Sequence, residues 1–285
     1  MTQATPRTKL RSLPRRKMGP PLRKGVYLLP SLFTTGGLFC GFYAIIATLG
    51  EAYVFAAIAM LVAMVFDGLD GRIARLTKTS SKFGVEYDSL ADLVAFGVAP
   101  GVLAYCWALE SWQVWGWLAA ALYVTCGELR LARFNVKSET ADKTHFVGLP
   151  IPAASAVVAT TVLLDDFLGG AGSSAKQIAP LVLIYTLAGL MVSNIRYYSF
   201  KELKLRDRKP FWLLLLSIIA IQIMIAQPHV MLFGGFWCYA ASGPLWLLVR
   251  LGRLGLGKLK KASPAPPPEN VRPLQTLDTD KEGPL

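Results

Sequence analysis

Eight stretches of this 285-residue chain are long and apolar enough to cross a bilayer: about 27–49, 53–73, 85–109, 112–135, 148–168, 178–197, 210–227 and 229–250. Spanning about 30 Å of hydrocarbon takes roughly 20 apolar residues of helix. Backbone N–H and C=O groups find no water there, so such segments must satisfy them internally and form helices. The expected fold is therefore all-α, a polytopic integral membrane bundle of about eight transmembrane helices. The last two stretches are separated only by Gln227–Pro228–His229 and form a hairpin.

Composition agrees. Only 17% of residues are charged and the mean hydropathy is +0.43, whereas an ordinary soluble domain carries about 25% charged residues. The net charge of +12 would suit nucleic acid. DNA binders, however, rarely combine basicity with long uncharged apolar runs, so no nucleic-acid partner is expected. Cys40, Cys106, Cys126 and Cys238 are scattered without a CxxC pair, which supports neither a disulfide framework nor a zinc site.

The bases instead record orientation. Residues 1–26 hold Arg7, Lys9, Arg11, Arg15, Arg16, Lys17, Arg23 and Lys24 with no acid, and the connections 2–3, 4–5 and 6–7 are also basic. The alternate connections carry Glu51, Glu110, Asp165 and Asp166 with one base, Lys176. An excess of Lys and Arg marks the cytoplasmic side, so an even number of spans puts both termini in the cytoplasm. The first 25 residues, basic and broken by proline, lack the apolar core of a secretory signal. Four segments follow: a basic cytoplasmic segment 1–26, a six-helix domain 27–200, an additional hairpin 201–251, and a Gly/Pro-rich tail 252–285 expected to be disordered. Lys258, Lys260 and Lys261 would lie near anionic headgroups. Asp165 and Asp166, beside GGAGSS, read as a solvated outer loop. His145 reads as a surface residue, and His229 as part of an outer turn without a chemical role.

Ionisable side chains inside spanning segments are costly and usually mark function. Here the stretch FDGLDGRIARLTKTSSKFGVEYDSLADLVAFGVAP carries four aspartates. Asp67, Asp70, Gly71 and Ala74 follow i, i+3, i+4, i+7 on one helical face, and Gly84, Asp88 and Asp92 follow i, i+4, i+8 on the next. A short loop makes the two helices antiparallel neighbours, so their carboxylates can converge. Such a cluster repels itself, and one or two hard divalent cations, Mg²⁺ or Mn²⁺, would resolve the repulsion. Two such ions can clamp the attacking and leaving oxygens of a phosphoryl transfer. Gly71 and Gly84 leave room for a ligand near the backbone, and Arg75, Lys78 and Lys82 bring positive charge for phosphate. Two other readings are helix-end carboxylates solvated at the interface, and an ion or proton pathway. Four aspartates in register with two glycines weigh against the first. The second lacks an acid chain continuing across the bilayer.

The spacing D-x2-D-G-x2-A-R-x8-G-x3-D-x3-D, met by Asp67, Asp70, Gly71, Ala74, Arg75, Gly84, Asp88 and Asp92, resembles the signature of the CDP-alcohol phosphatidyltransferases. The segments LLPSLFTTGGLFCGF, EYDSLADLVAFGVAP, LRLARFNV and GLPIPAA look like the bacterial branch of that family whose acceptor alcohol is L-serine. The likeness runs over about residues 27–200; the last hairpin and both tails add little to it. One departure is Pro30-Ser31 ahead of Thr34, where members often carry Pro-Asn.

The resemblance implies an enzyme of phospholipid synthesis in a bacterial inner membrane, with its site on the cytoplasmic side. It would transfer the phosphatidyl group from CDP-diacylglycerol to serine, releasing CMP. It further implies two divalent ions at Asp67, Asp70 and Asp88, with Asp92 both near a metal and the general base. Pro30, Thr34, Gly71, Arg75, Ser81 and Lys82 would hold the CDP-lipid, and the chain would be a homodimer. Acceptor choice requires a site for the serine carboxylate and ammonium. The run GELRLARFN offers Glu128, Arg130, Arg133 and Asn135, with an arginine of the pair as a planar fork for the carboxylate. A structural Arg–Glu pair with positive-inside anchoring is the plain alternative. Two other functions compete: a sister transferase using glycerol 3-phosphate or inositol phosphate, which would need further cationic sites, and an ion-coupled transporter.

Overall fold

The computed structural model describes residues 28–77, 82–138, 146–170, 178–197 and 210–261. Ser81, Lys78, His145, the basic segment 1–26, the 198–209 connection and residues 262–285 lie outside them.

Helices occupy all eight apolar stretches. Helix α1 (Leu28–Leu49) is joined by a tight turn to α2 (Tyr53–Thr77). The third stretch is one nearly continuous rod. It consists of α3 (Lys82–Asp92), a π-helical turn (Leu93–Val98), α4 (Ala99–Ala104), a second π turn (Tyr105–Leu109) and a 3₁₀ turn (Glu110–Trp112). After it come α5 (Val114–Ser138), β1 (Phe146–Val147), α6 (Ile151–Phe167), α7 (Ile178–Val192), β2 (Arg196–Tyr197), α8 (Pro210–Ala226) and α9 (Pro228–Lys261). The two-residue strands pair antiparallel, Phe146 opposite Tyr197 and Val147 opposite Arg196. Among the described residues four helical spans, Pro30–Leu49, Tyr53–Thr77, Phe83–Trp112 and Pro228–Leu247, are long and apolar enough to cross a membrane, and Ile178–Val192 is a shorter apolar helix.

Three expectations need correction. His229 lies in the first turn of α9 and not in a turn between helices. Asp165 and Asp166 belong to the last turn of α6 and not to a loop. Asp165 is drawn in by the Trp107 indole, which donates to its Oδ2 at 3.3 Å. Helix α9 runs to Lys261, ten residues into the stretch expected to be disordered. Its sequence past Pro244 is rich in Leu, Lys and Arg, all good helix formers, and meets no further proline before Pro264. The described residues as far as Gly243 form one compact unit, and those from Pro244 onward a second.

The core of the first unit is built around α6, whose Ala154, Val157, Val158, Ala159 and Thr160 are all essentially inaccessible. Small residues let the helices approach closely, as membrane bundles require. Ala44, Ala56, Ala57, Ala63 and Ala99 are fully buried, and a Cβ added at Gly41 would come within 2.5 Å of the Ala95 Cα. That contact seats α1 on the first π turn. Within the turn the Ala99 N–H reaches back five residues to the Val94 carbonyl. Pro100 has no N–H to offer the Phe96 carbonyl four residues back, and the Tyr123 hydroxyl of α5 donates to it at 3.3 Å. The irregular backbone immediately after Asp92 is thus held from two sides. Such π turns often lie at functional sites.

Candidate active site

Helices α2 and α3 place their acids as their periodicity requires. One oxygen each from Asp67, Asp70 and Asp88 lies within 4.8 Å of the other two. Asp70 is buried, 5% exposed, and accepts a hydrogen bond from the Thr34 hydroxyl at 2.9 Å. The Asp88 Oδ1 is buried with no hydrogen-bond partner among the described residues. A buried acceptor without a donor is costly and uncommon. An orphaned oxygen beside two more carboxylates is a donor set suited to a hard cation. Asp92, one turn beyond Asp88, stands outside the triple. It interacts electrostatically with Asp67, Asp88 and Asp70, and also with Arg130.

The residues expected to hold the CDP-lipid divide. Above Gly71 nothing among the described residues comes within 4 Å of the position a Cβ would take, which leaves the α2 backbone beside Asp70 open to a ligand. Arg75 is exposed and folds back along this opening, its Nε donating to the Gly71 carbonyl at 2.7 Å. Thr34, by contrast, serves Asp70, with a longer contact at 3.2 Å to the Pro30 carbonyl. Its hydroxyl supports a carboxylate, and Pro30 contributes the carbonyl that turns it. Lys82 opens α3.

The acceptor candidates on α5 divide too. Glu128 is exposed. Arg133 is engaged by the end of α7, donating to Asn194 Oδ1 at 2.6 Å and to the Val192 carbonyl at 3.4 Å. Asn135 donates to Ser89 Oγ at 3.0 Å and ties α5 to α3. Arg130 faces inward: among the described residues its Nε is buried without a hydrogen-bond partner, and its charge is near enough to act on Asp92.

Residues 27–193 match the CDP-alcohol phosphatidyltransferase family. The chain belongs to that family. A Helicobacter pylori protein called CDP-diacylglycerol–serine O-phosphatidyltransferase is 39% identical over 229 residues, covering 79% of this chain and 94% of the relative. The Bacillus subtilis protein of the same name is 36% identical over 175 residues, 61% of this chain and 92% of its own. Archaetidylserine synthase of Methanothermobacter thermautotrophicus is 34% identical over 171 residues, 59% and 69% respectively.

Within this family member, several residues near the aspartates went unnoticed in the sequence. Thr35 gives its hydrogen to the Ser31 carbonyl at 2.7 Å, which leaves Tyr87 to donate across to Thr35 at 2.9 Å. This bond joins α1 to α3, as the Thr34–Asp70 bond joins α1 to α2. Tyr87 adjoins Asp88, and that adjacency was the available signal. Asn194 lies far along the chain and carried none.

Proposed function

We propose that this chain is a CDP-diacylglycerol–serine O-phosphatidyltransferase. The observation that carries the chemistry is the convergence of Asp67, Asp70 and Asp88 with a buried, unpartnered oxygen. The likeness to the serine-specific relatives supports the acceptor. Asp67, Asp70 and Asp88 would hold one or two divalent cations, Mg²⁺ or Mn²⁺. A cation bound there supplies Lewis-acid charge that spreads the negative charge of the diphosphate.

The chain's own residues do the rest. Gly71 lets the CDP-lipid approach α2, and Arg75, with Lys82 and Ser81, offers charge and hydroxyl to its phosphates. Asp92, at the junction of α3 and the π turn, takes the proton of the serine hydroxyl. A positioned base contributes about 10²–10⁴-fold. The freed oxygen forms a bond to the phosphorus that carries diacylglycerol, the bond from that phosphorus to the CMP oxygen breaks, and CMP departs. Arg130, the inward-facing arginine of α5, binds the serine carboxylate. Arg133 is committed to α7 and anchors the helix.

The arrangement we favour in the bacterial inner membrane has eight spans and both termini in the cytoplasm. It places the aspartates at the cytoplasmic face, with a second copy of the chain as partner. The deciding assay measures CMP release from CDP-diacylglycerol by purified protein, with L-serine, glycerol 3-phosphate and inositol phosphate offered in turn. Release with serine alone is expected. Release only with a phosphorylated alcohol points to a sister transferase, and none with any alcohol points to transport.

A further inference from the structure

The position of Asp88 depends on how α3 is held, because its Oδ1 has no donor among the described residues. Burial does little to seat this helix. It has 11 residues, and its Phe83, Val85 and Leu90 are all exposed. Two hydrogen bonds, one on either side of Asp88, fasten it instead. Tyr87 donates to the Thr35 hydroxyl of α1 at 2.9 Å, and Ser89 accepts from Asn135 of α5 at 3.0 Å. Phe83 stacks on Tyr87, with ring centroids 6.0 Å apart and planes within 3° of parallel. A tyrosine has only two side-chain torsions to fix, so the stacked ring reaches Thr35 at little entropic cost.

The bond to α1 has a consequence that the bond to α5 lacks. Thr35 follows Thr34, whose hydroxyl donates to Asp70 of α2 at 2.9 Å. Successive side chains on a helix point about 100° apart, so the two threonines reach two different neighbours. Adjacent residues of α1 therefore grip both helices that bring the acids together. One acts on Asp70 itself, the other on the residue beside Asp88. Three carboxylates whose oxygens lie within 4.8 Å of one another repel when no counter-charge lies between them, and that repulsion drives α3 away from α2. A hydrogen bond from α3 to the helix that holds Asp70 opposes the separation.

We infer that Tyr87 is a positioning residue for the cation site: it ties α3 to Thr35, beside the threonine that holds Asp70, and so sets the gap across which Asp88 meets the acids of α2. This rests on the reading above that Asp67, Asp70 and Asp88 hold a divalent cation. Tyr87 acts through Asp88. It keeps the ligands close before the cation arrives, so less of the binding energy is spent on closing the site.

The test measures Mn²⁺ affinity of the full chain in lipid nanodiscs by electron paramagnetic resonance, beside the melting temperature of each metal-free variant. Tyr87→Phe keeps the ring against Phe83 and removes the hydroxyl, and Mn²⁺ affinity falls about fivefold, the factor that one lost neutral hydrogen bond makes. Thr35→Val removes the acceptor and gives a similar fall. Adding Tyr87→Phe to it costs nothing more, as a bond shared by the two residues requires. Thr35→Ser keeps the hydroxyl and the wild-type affinity. A Tyr87→Phe chain that melts earlier but binds Mn²⁺ as the wild type does overturns the proposal, and so do losses that add in the double variant. A wild type that binds no Mn²⁺, or binds it no better than Asp88→Asn does, overturns the cation reading and this proposal with it. A wild type that binds Mn²⁺ at the aspartates beside an unaffected Tyr87→Phe overturns this proposal alone.

Discussion

Helix α2 has acids at both ends. Near its start, Glu51, Glu110, Asp165 and Asp166 line a cavity of about 730 Å³ together with Tyr53 and Trp107. Seventeen residues later, about 25 Å along a helix, Asp70 joins Asp67, Asp88 and Asp92. The two ends match in number of carboxylates and differ in what each carboxylate faces. At the first end Asp165 has a donor in Trp107, Glu110 and Glu51 are exposed, and the four surround open space. At the second end three oxygens converge within 4.8 Å, one of them buried and orphaned. A tally of charges would rank the ends equal. Convergence together with loss of water is what calls for a cation, because solvated acids pay no desolvation cost and need no counter-charge.

The contrast breaks most readily at Asp92. Asp92→Asn keeps the shape and removes the proton acceptor, and should lower turnover by about 10²–10⁴-fold. CDP-diacylglycerol binding, followed by calorimetry, should persist. Retained activity would take the base role away from Asp92. The next largest effect compares the two ends directly, with Mn²⁺ binding to purified protein followed by electron paramagnetic resonance. Asp70→Asn should cost more than the about 10–100-fold that loss of a supporting residue costs a metal site, while Asp165→Asn should leave Mn²⁺ affinity unchanged. Equal losses at both ends would erase the distinction. Thr34→Val then sharpens it. The substitution is close in shape and deletes the bond to Asp70, so Mn²⁺ affinity should fall about tenfold. A fall in CDP-lipid affinity with Mn²⁺ binding intact would instead return Thr34 to the nucleotide.

The helices and the acid cluster were legible because both are written in local periodicity. Apolar length announces a span, and i, i+3, i+4 spacing puts Asp67 beside Asp70 and Asp88 beside Asp92 whatever the rest of the chain does. Partners across the bundle are different. Thr34 and Asp70 are 36 residues apart, Arg133 and Asn194 are 61 apart, and Tyr197 meets α9 at a separation of 43. Nothing in the run GELRLARFN distinguishes the arginine that turns toward Asp92 from the one held by α7. That choice is made by where α7 ends. The π turn after Asp92 was equally hidden, although Pro100 announced that some carbonyl upstream would need another donor. The reach of α9 to Lys261 was missed because glycines and charges near the end of a span read as a tail, while the leucines among them favour a helix.

The smallest effect is expected at the other end of α2, and it tests whether that end is structural. Trp107 is 9% exposed and packs in the cluster of Ala44, Ala56, Met60 and Leu163, so its ring would stay buried in Trp107→Phe. What is lost is mainly the indole N–H donated to Asp165, one hydrogen bond to a charged group at the edge of an open cavity. At 3.3 Å it is longer than the usual N–H···O distance, and the freed carboxylate can turn to water. The cost should therefore sit near the low end of the range for a charged hydrogen bond, about 1.5 kcal/mol, with a further contribution from the smaller ring. It should be read as a modest drop in melting temperature in a fixed membrane mimic. Turnover and both KM values should be unchanged, because no aspartate of the convergent cluster touches this end. If Trp107→Phe altered serine KM or Mn²⁺ affinity, the two ends of α2 would be coupled through the π turns of the third rod, and the acids at its start could no longer be treated as bystanders.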